Sequence, residues 1–99
     1  MTQGPTTYAV PDRALDGNVL AGPLGEVMGV DVTAAVVVCA GCRRRQAVAE
    51  LLVFVSGMGA VARCRGGGDV MLRVAEVRSE VRSEVLLDLR GCSVLRLPV

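Results

Sequence analysis

Cys39-Ala40-Gly41-Cys42, followed after 21 intervening residues by Cys64-Arg65-Gly66-Gly67, decides how this 99-residue chain is read. A Cys-x-x-Cys pair with an internal glycine, set between two apolar runs, lets backbone amides turn toward two thiolates and presents them as half of a tetrahedral ligand set. A second such turn is expected about 20 residues further on, and Cys64 arrives there. Its fourth position is Gly67, so the pattern is C-x2-C-x21-C-x2-G: it has the spacing of two knuckles and is short of one ligand.

Outward from these turns the chain consists of short Val-rich runs separated by turn residues, which is the signature of antiparallel hairpins. Strands are expected near 33–38, 49–55, 60–63, 70–77, 84–89 and 93–97, with breaks at 39–42, 56–59, 66–68 and 90–91. The stretch 77–85, Val-Arg-Ser-Glu-Val-Arg-Ser-Glu-Val, repeats every four residues. Its valines align equally well at helical spacing, but the β-rich neighbourhood favours an elongated hairpin arm. Before Asp31 the pattern is helical: Leu15, Val19, Leu20, Leu24, Val27 and Met28 recur on one face, with Asp16 as an N-cap and Gly29 as a C-cap. Pro23 either kinks this helix or marks a late start near Gly22, because it has no N–H for residue 19. The fold class expected is mainly β with one N-terminal helix, in zinc-ribbon-like antiparallel hairpins. Residues 1–13, polar and holding Pro5 and Pro11, are expected to be a flexible tail to a single domain over 14–99.

Composition narrows the function. The chain is 52% apolar with only Tyr8 and Phe54 as aromatics, so its core must be aliphatic, and at this length the buried surface leaves stability marginal without a staple. Buried positions are expected at Leu20, Leu24, Val27, Val37, Leu52, Phe54, Leu72, Leu87 and Leu89. The net charge of +1 offers no global field for nucleic acid or membrane. Histidine is absent, which removes the commonest general base near neutral pH and the commonest nitrogen ligand for metals; with no nucleophile and base assignable, an enzyme is not expected. No apolar run approaches the roughly 20 residues that span a bilayer and no signal peptide opens the chain, so a cytoplasmic location and no membrane partner are expected.

The cysteines bring further residues with them. The chain resembles a small actinobacterial zinc-ribbon-like family of unknown function, through Leu-Asp-Gly-Asn at 15–18, Ala-Gly-Pro-Leu at 21–24, the segment 28–33, Cys39 to Cys42, Cys64, Asp-Leu-Arg-Gly at 88–91 and Leu97-Pro98. The resemblance implies metal-ligand roles for Cys39, Cys42 and Cys64; Gly67 departs from it, and it implies no activity. Cys92 can complete the set if the last strand runs beside the first knuckle. Asp69 is nearer in sequence and offers an oxygen, although structural zinc prefers sulfur or nitrogen. Three states fit these residues: a metal-free ribbon, zinc held by the three cysteines with Cys92, Asp69 or water, and a disulfide-linked form.

Arg43, Arg44 and Arg45 follow the first knuckle, while Arg63 and Arg65 flank Cys64, so five guanidinium groups can converge into an anion or nucleic-acid patch. The plainer reading is solvated loop charges partly paired with Glu50 and Asp69. Cations beside the thiols are also expected to lower their pKa. The function expected is a non-catalytic binding or scaffold module with a degenerate zinc-ribbon site and an unknown protein partner. The alternatives are a nucleic-acid-associated ribbon using the arginines, and a thiol-based redox or metal sensor.

Overall fold

The computed structural model describes residues 14–57 and 59–98; the expected tail, 1–13, lies outside them. The order is β1 (Leu15–Asp16), a 3-10 turn (Gly17–Leu20), α1 (Ala21–Met28), a second 3-10 turn (Val32–Ala34), β2 (Val36–Cys39), β3 (Arg45–Ala47), a third 3-10 turn (Val48–Glu50), β4 (Leu52–Ser56), β5 (Gly59–Arg63), β6 (Val70–Arg78), β7 (Ser83–Asp88) and β8 (Cys92–Arg96). The chain is mainly β, with one short helix near its start.

Two antiparallel sheets result. One has five strands in the order β1-β4-β5-β6-β7, the other three in the order β3-β2-β8. The last strand leaves its neighbour β7 and crosses to β2, pairing Val37 with Leu95 and Cys39 with Cys92 across a register shift. Period-two alternation fits this arrangement: in β2, Val37 and Cys39 are buried while Val36 and Val38 are only half-buried. The four-residue repeat is a hairpin, with Arg78 opposite Ser83 and the Ser79 N–H donating to Arg82 O at 2.9 Å.

The helix is shorter than its periodicity suggests. Asp16 does cap, but it caps the first 3-10 turn, accepting from the Asn18 N–H at 3.0 Å. The α-helix therefore starts at Ala21, which puts Pro23 in its first turn, where a missing N–H costs no intrahelical bond. Gly29, with φ 69°, ends the helix as expected. Val27 is a correction: it is 53% exposed, because the shorter helix turns Leu24 fully inward, with Leu20 buried in the 3-10 turn before it.

Side-chain hydrogen bonds also shift two expected strands. Asp31 accepts from the Thr33 N–H and hydroxyl, holding 32–34 in a turn, and Glu50 accepts from the Ala47 N–H at 2.8 Å, holding 48–50 in another. Strands begin only after them, at Val36 and Leu52. The core is one aliphatic cluster shared by both sheets and the helix, including Leu20, Leu24, Val37, Val48, Leu51, Val53, Met71 and Leu72. Each such side chain contributes about 1.5–3 kcal/mol by leaving water. Phe54, Leu87 and Leu89 are only half-buried, and Arg63 places its guanidinium over the Phe54 ring, 5.9 Å from the centroid. Among the described residues no helix is long and apolar enough to cross a membrane.

Candidate metal centre

The two glycine-bearing turns close in the same way. In residues 39–44 the Arg43 N–H donates to Cys39 O at 2.8 Å and the Cys39 N–H to Arg44 O at 2.9 Å. In residues 64–69 the Gly68 N–H donates to Cys64 O at 2.9 Å and the Cys64 N–H to Asp69 O at 2.8 Å. The fifth residue of each turn is left-handed, Arg43 at φ 64° and Gly68 at φ 80°. Glycine takes that conformation freely, whereas arginine pays roughly 1–2 kcal/mol for it. Gly67 thus holds in the second turn the place of Cys42 in the first.

Both turns aim amides at sulfur. The Gly41 and Cys42 N–H groups face the Cys39 thiol, and the Gly66 and Gly67 N–H groups face that of Cys64, with Gly66 N at 3.3 Å. Three Sγ atoms meet between the turns: those of Cys39, Cys42 and Cys64 all lie within 4.8 Å of one another, Cys42 and Cys64 at 3.5 Å. Tetrahedral zinc with bonds of about 2.3 Å holds its sulfurs about 3.8 Å apart, so these separations bracket what the ion requires. Cys39 and Cys64 are buried and Cys42 is exposed, and none of the four cysteines is in a disulfide. Cys39 ends β2 in the three-stranded sheet and Cys64 follows β5 in the five-stranded one, so the cluster joins the two sheets.

The thiols differ electrostatically. Burial pushes Cys39 up, only partly offset by its two amides. Burial also pushes on Cys64, but the Gly67 amide, the Gln46 side chain and the Gly66 amide outweigh it, and the net direction is down. The arginines, expected to lower these values, are not among the causes.

Gln46 is a residue that sequence reasoning missed. It is 5% exposed and donates from Nε2 to Cys64 Sγ at 3.2 Å, with Met71 Sδ at 3.8 Å, while its Oε1 accepts from the Arg65 N–H at 3.2 Å. It lies in β3, where no strand was expected, and two adjacent polar residues, Arg45 and Gln46, carry no sequence signal that the second is buried.

Cys92 is not part of the three-sulfur group. It faces Cys39 across β2 and β8, but its thiol donates to Met71 O at 3.3 Å, and burial together with the nearby Cys39 pushes its pKa up. Asp69 also stands outside the three-sulfur group, with Oδ2 3.9 Å from Cys39 Sγ. Of the five arginines, Arg63 donates to Gly68 O and Arg65 to Glu50 O, both at 2.8 Å, while Arg43, Arg44 and Arg45 are exposed. Among the described residues the ion pairs join Arg78 to Glu76, Arg82 to Glu84 and Arg90 to Asp88, so the expected pairing of knuckle arginines with the Glu50 and Asp69 carboxylates is not made.

Compared with known proteins, the chain has no match among curated proteins or solved structures. A family model does match, over residues 10–99, nearly the whole chain, and the protein belongs to that family, DUF6510, a family of unknown function.

Proposed function

We propose that this protein is a non-catalytic binding or scaffold module in which zinc, held by Cys39, Cys42 and Cys64, clips its two sheets together as in a zinc ribbon. The observation that carries the reading is the convergence of three thiols from two sheets within 4.8 Å, each turn aiming backbone N–H groups at its first sulfur. Amide donors stabilise thiolate over thiol, and thiolate is the form that binds metal. Zinc bound there supplies a cross-link whose binding energy adds to folding energy, which a 99-residue chain with a small aliphatic core can use. Metal analysis of protein purified under reducing conditions tests this: about one zinc per chain is expected, lost in Cys64→Ser. Wild-type protein that neither carries zinc nor takes it up on reconstitution contradicts it.

One observation favours a second reading, a thiol-based redox or metal sensor. Exposed Cys42 and buried Cys64 have their sulfurs 3.5 Å apart, close enough for exchange with a small disulfide oxidant. Both thiols would lose their protons, one disulfide would form here, and the oxidant would leave as two thiols. Titration with glutathione disulfide, read by mass and by zinc release, separates this from a purely structural site.

A further inference from the structure

The second turn lacks a thiol at Gly67 but carries a carboxylate two residues later. Asp69 closes that turn with its main chain, its carbonyl accepting from the Cys64 N–H, and this bond fixes where its side chain starts. From there Oδ2 reaches across to the first turn, 3.9 Å from Cys39 Sγ; it stands outside the group of three sulfurs, and a rotation of the carboxylate is what brings it onto an ion held there. Tetrahedral zinc with bonds of about 2.3 Å to sulfur and 2.0–2.2 Å to oxygen separates the two atom types by about 3.6 Å, close to that distance.

Two glycines make room for the carboxylate. A Cβ built on Gly41 would overlap Asp69 Oδ2 and would stand 3.8 Å from Cys39 Sγ, so the oxygen occupies space that any side chain at 41 would take. On the other side, a Cβ on Gly67 would touch the same oxygen at 3.7 Å. The carboxylate thus lies between the turns on the side where the missing thiol would enter. Among the described residues it forms no ion pair, although Arg43, Arg44 and Arg65 stand in the same two turns.

We infer that Asp69 is the fourth ligand, closing a three-thiolate, one-carboxylate site through Oδ2. The inference rests on the zinc reading above and adds a property to it. Zinc binds thiolate in preference to carboxylate in structural sites, so the ion is held less tightly than by four cysteines, and Asp69 is exposed, which puts the weakest ligand on the solvent side. Metal then enters and leaves by way of Asp69.

Zinc competition against a chromophoric chelator and the absorption spectrum of the Co(II) form, on the full chain, test the assignment. Asp69→Asn should weaken zinc on the order of 10- to 100-fold with unchanged far-UV circular dichroism. Gly41→Ala changes no ligand residue but fills the space of Oδ2 and so displaces the carboxylate, and it should weaken zinc comparably. Asp69→Cys should strengthen the sulfur-to-cobalt charge-transfer band and move the d–d bands to longer wavelength. Unchanged affinity in both Asp69→Asn and Gly41→Ala overturns the carboxylate ligand while leaving the three thiolates in place. Wild-type protein that binds neither ion, or a Cys64→Ser variant that binds both normally, overturns the three-thiolate reading itself.

Discussion

Gly67 and Cys42 occupy equivalent places in two turns that share one hydrogen-bonding pattern, the first closed by Arg43 and Arg44 and the second by Gly68 and Asp69. The backbone of a complete ligand pair is therefore present at residues 64–69, and only the sulfur is missing.

Gly67→Cys should restore it. Gly67 does not require a left-handed conformation, and a Cβ there meets Asp69 Oδ2 only at ordinary contact distance, so the turn accommodates the side chain. Zinc affinity should rise at least about tenfold and the thermal midpoint of the zinc form should rise with it, because metal bound to the native state stabilises by mass action. Calorimetry with and without a chelator measures both. A variant that gains neither affinity nor thermal stability shows that residues 64–67 do not present a ligand pair.

Gln46 should matter to both fold and site. Gln46→Leu removes the acceptor of the Arg65 N–H and the side-chain donor to Cys64 Sγ, at a cost of about 1–3 kcal/mol in denaturant unfolding. Gln46→Glu keeps the acceptor but sets a negative charge beside the sulfur, and it should lower zinc affinity on the order of 10- to 100-fold. Equal zinc affinity in Gln46→Glu and wild type would show that the donor has no part in holding the thiolate.

Leu24 and Val27 sit one helical turn apart and should respond unequally to truncation. Leu24 is 1% exposed and Val27 53%, so Leu24→Ala should cost about 2–5 kcal/mol and Val27→Ala less than about 0.5 kcal/mol. Urea unfolding of the two variants checks the helix register. Similar losses would mean that the helix packs through a different face.

Asp88 should titrate low. The Arg90 guanidinium and backbone N–H both donate to its carboxylate, which is held down to about 2 against an ordinary 3.8. With the folded value depressed, the contribution to stability is fully present above about pH 4 and is lost as pH falls through about 2. Carbon-detected NMR titration should find the midpoint near 2 in the wild type and closer to 3.8 in Arg90→Gln. An Asp88 midpoint unmoved by that substitution contradicts the pair.

Much of the fold was legible before the structure. Hydrophobic alternation located β5, β6, β7 and β8 to within a residue or two, and the repeat at 77–85 was correctly assigned to a hairpin, because strand periodicity is a property of local sequence. The start of the helix and of β2 and β4 was not legible: Asp16, Asp31 and Glu50 draw backbone N–H groups into 3-10 turns, and the identity of a side chain does not reveal which amide it will accept from. The three-residue strand β3, polar and only half apolar in its surroundings, carries too short a pattern to be seen.

Spacing alone determined that Cys39, Cys42 and Cys64 are candidate ligands and that Gly67 marks a gap, since a turn closed by local hydrogen bonds repeats wherever its short motif repeats. Which residue stands nearest that gap depended on how two sheets pack, and no linear pattern encodes that packing. Cys92, the chemically better ligand, was carried by the crossing of β8 to a place where its thiol bonds Met71 O, while Asp69, the poorer one, was set beside Cys39 because Gly41 leaves the space for its carboxylate.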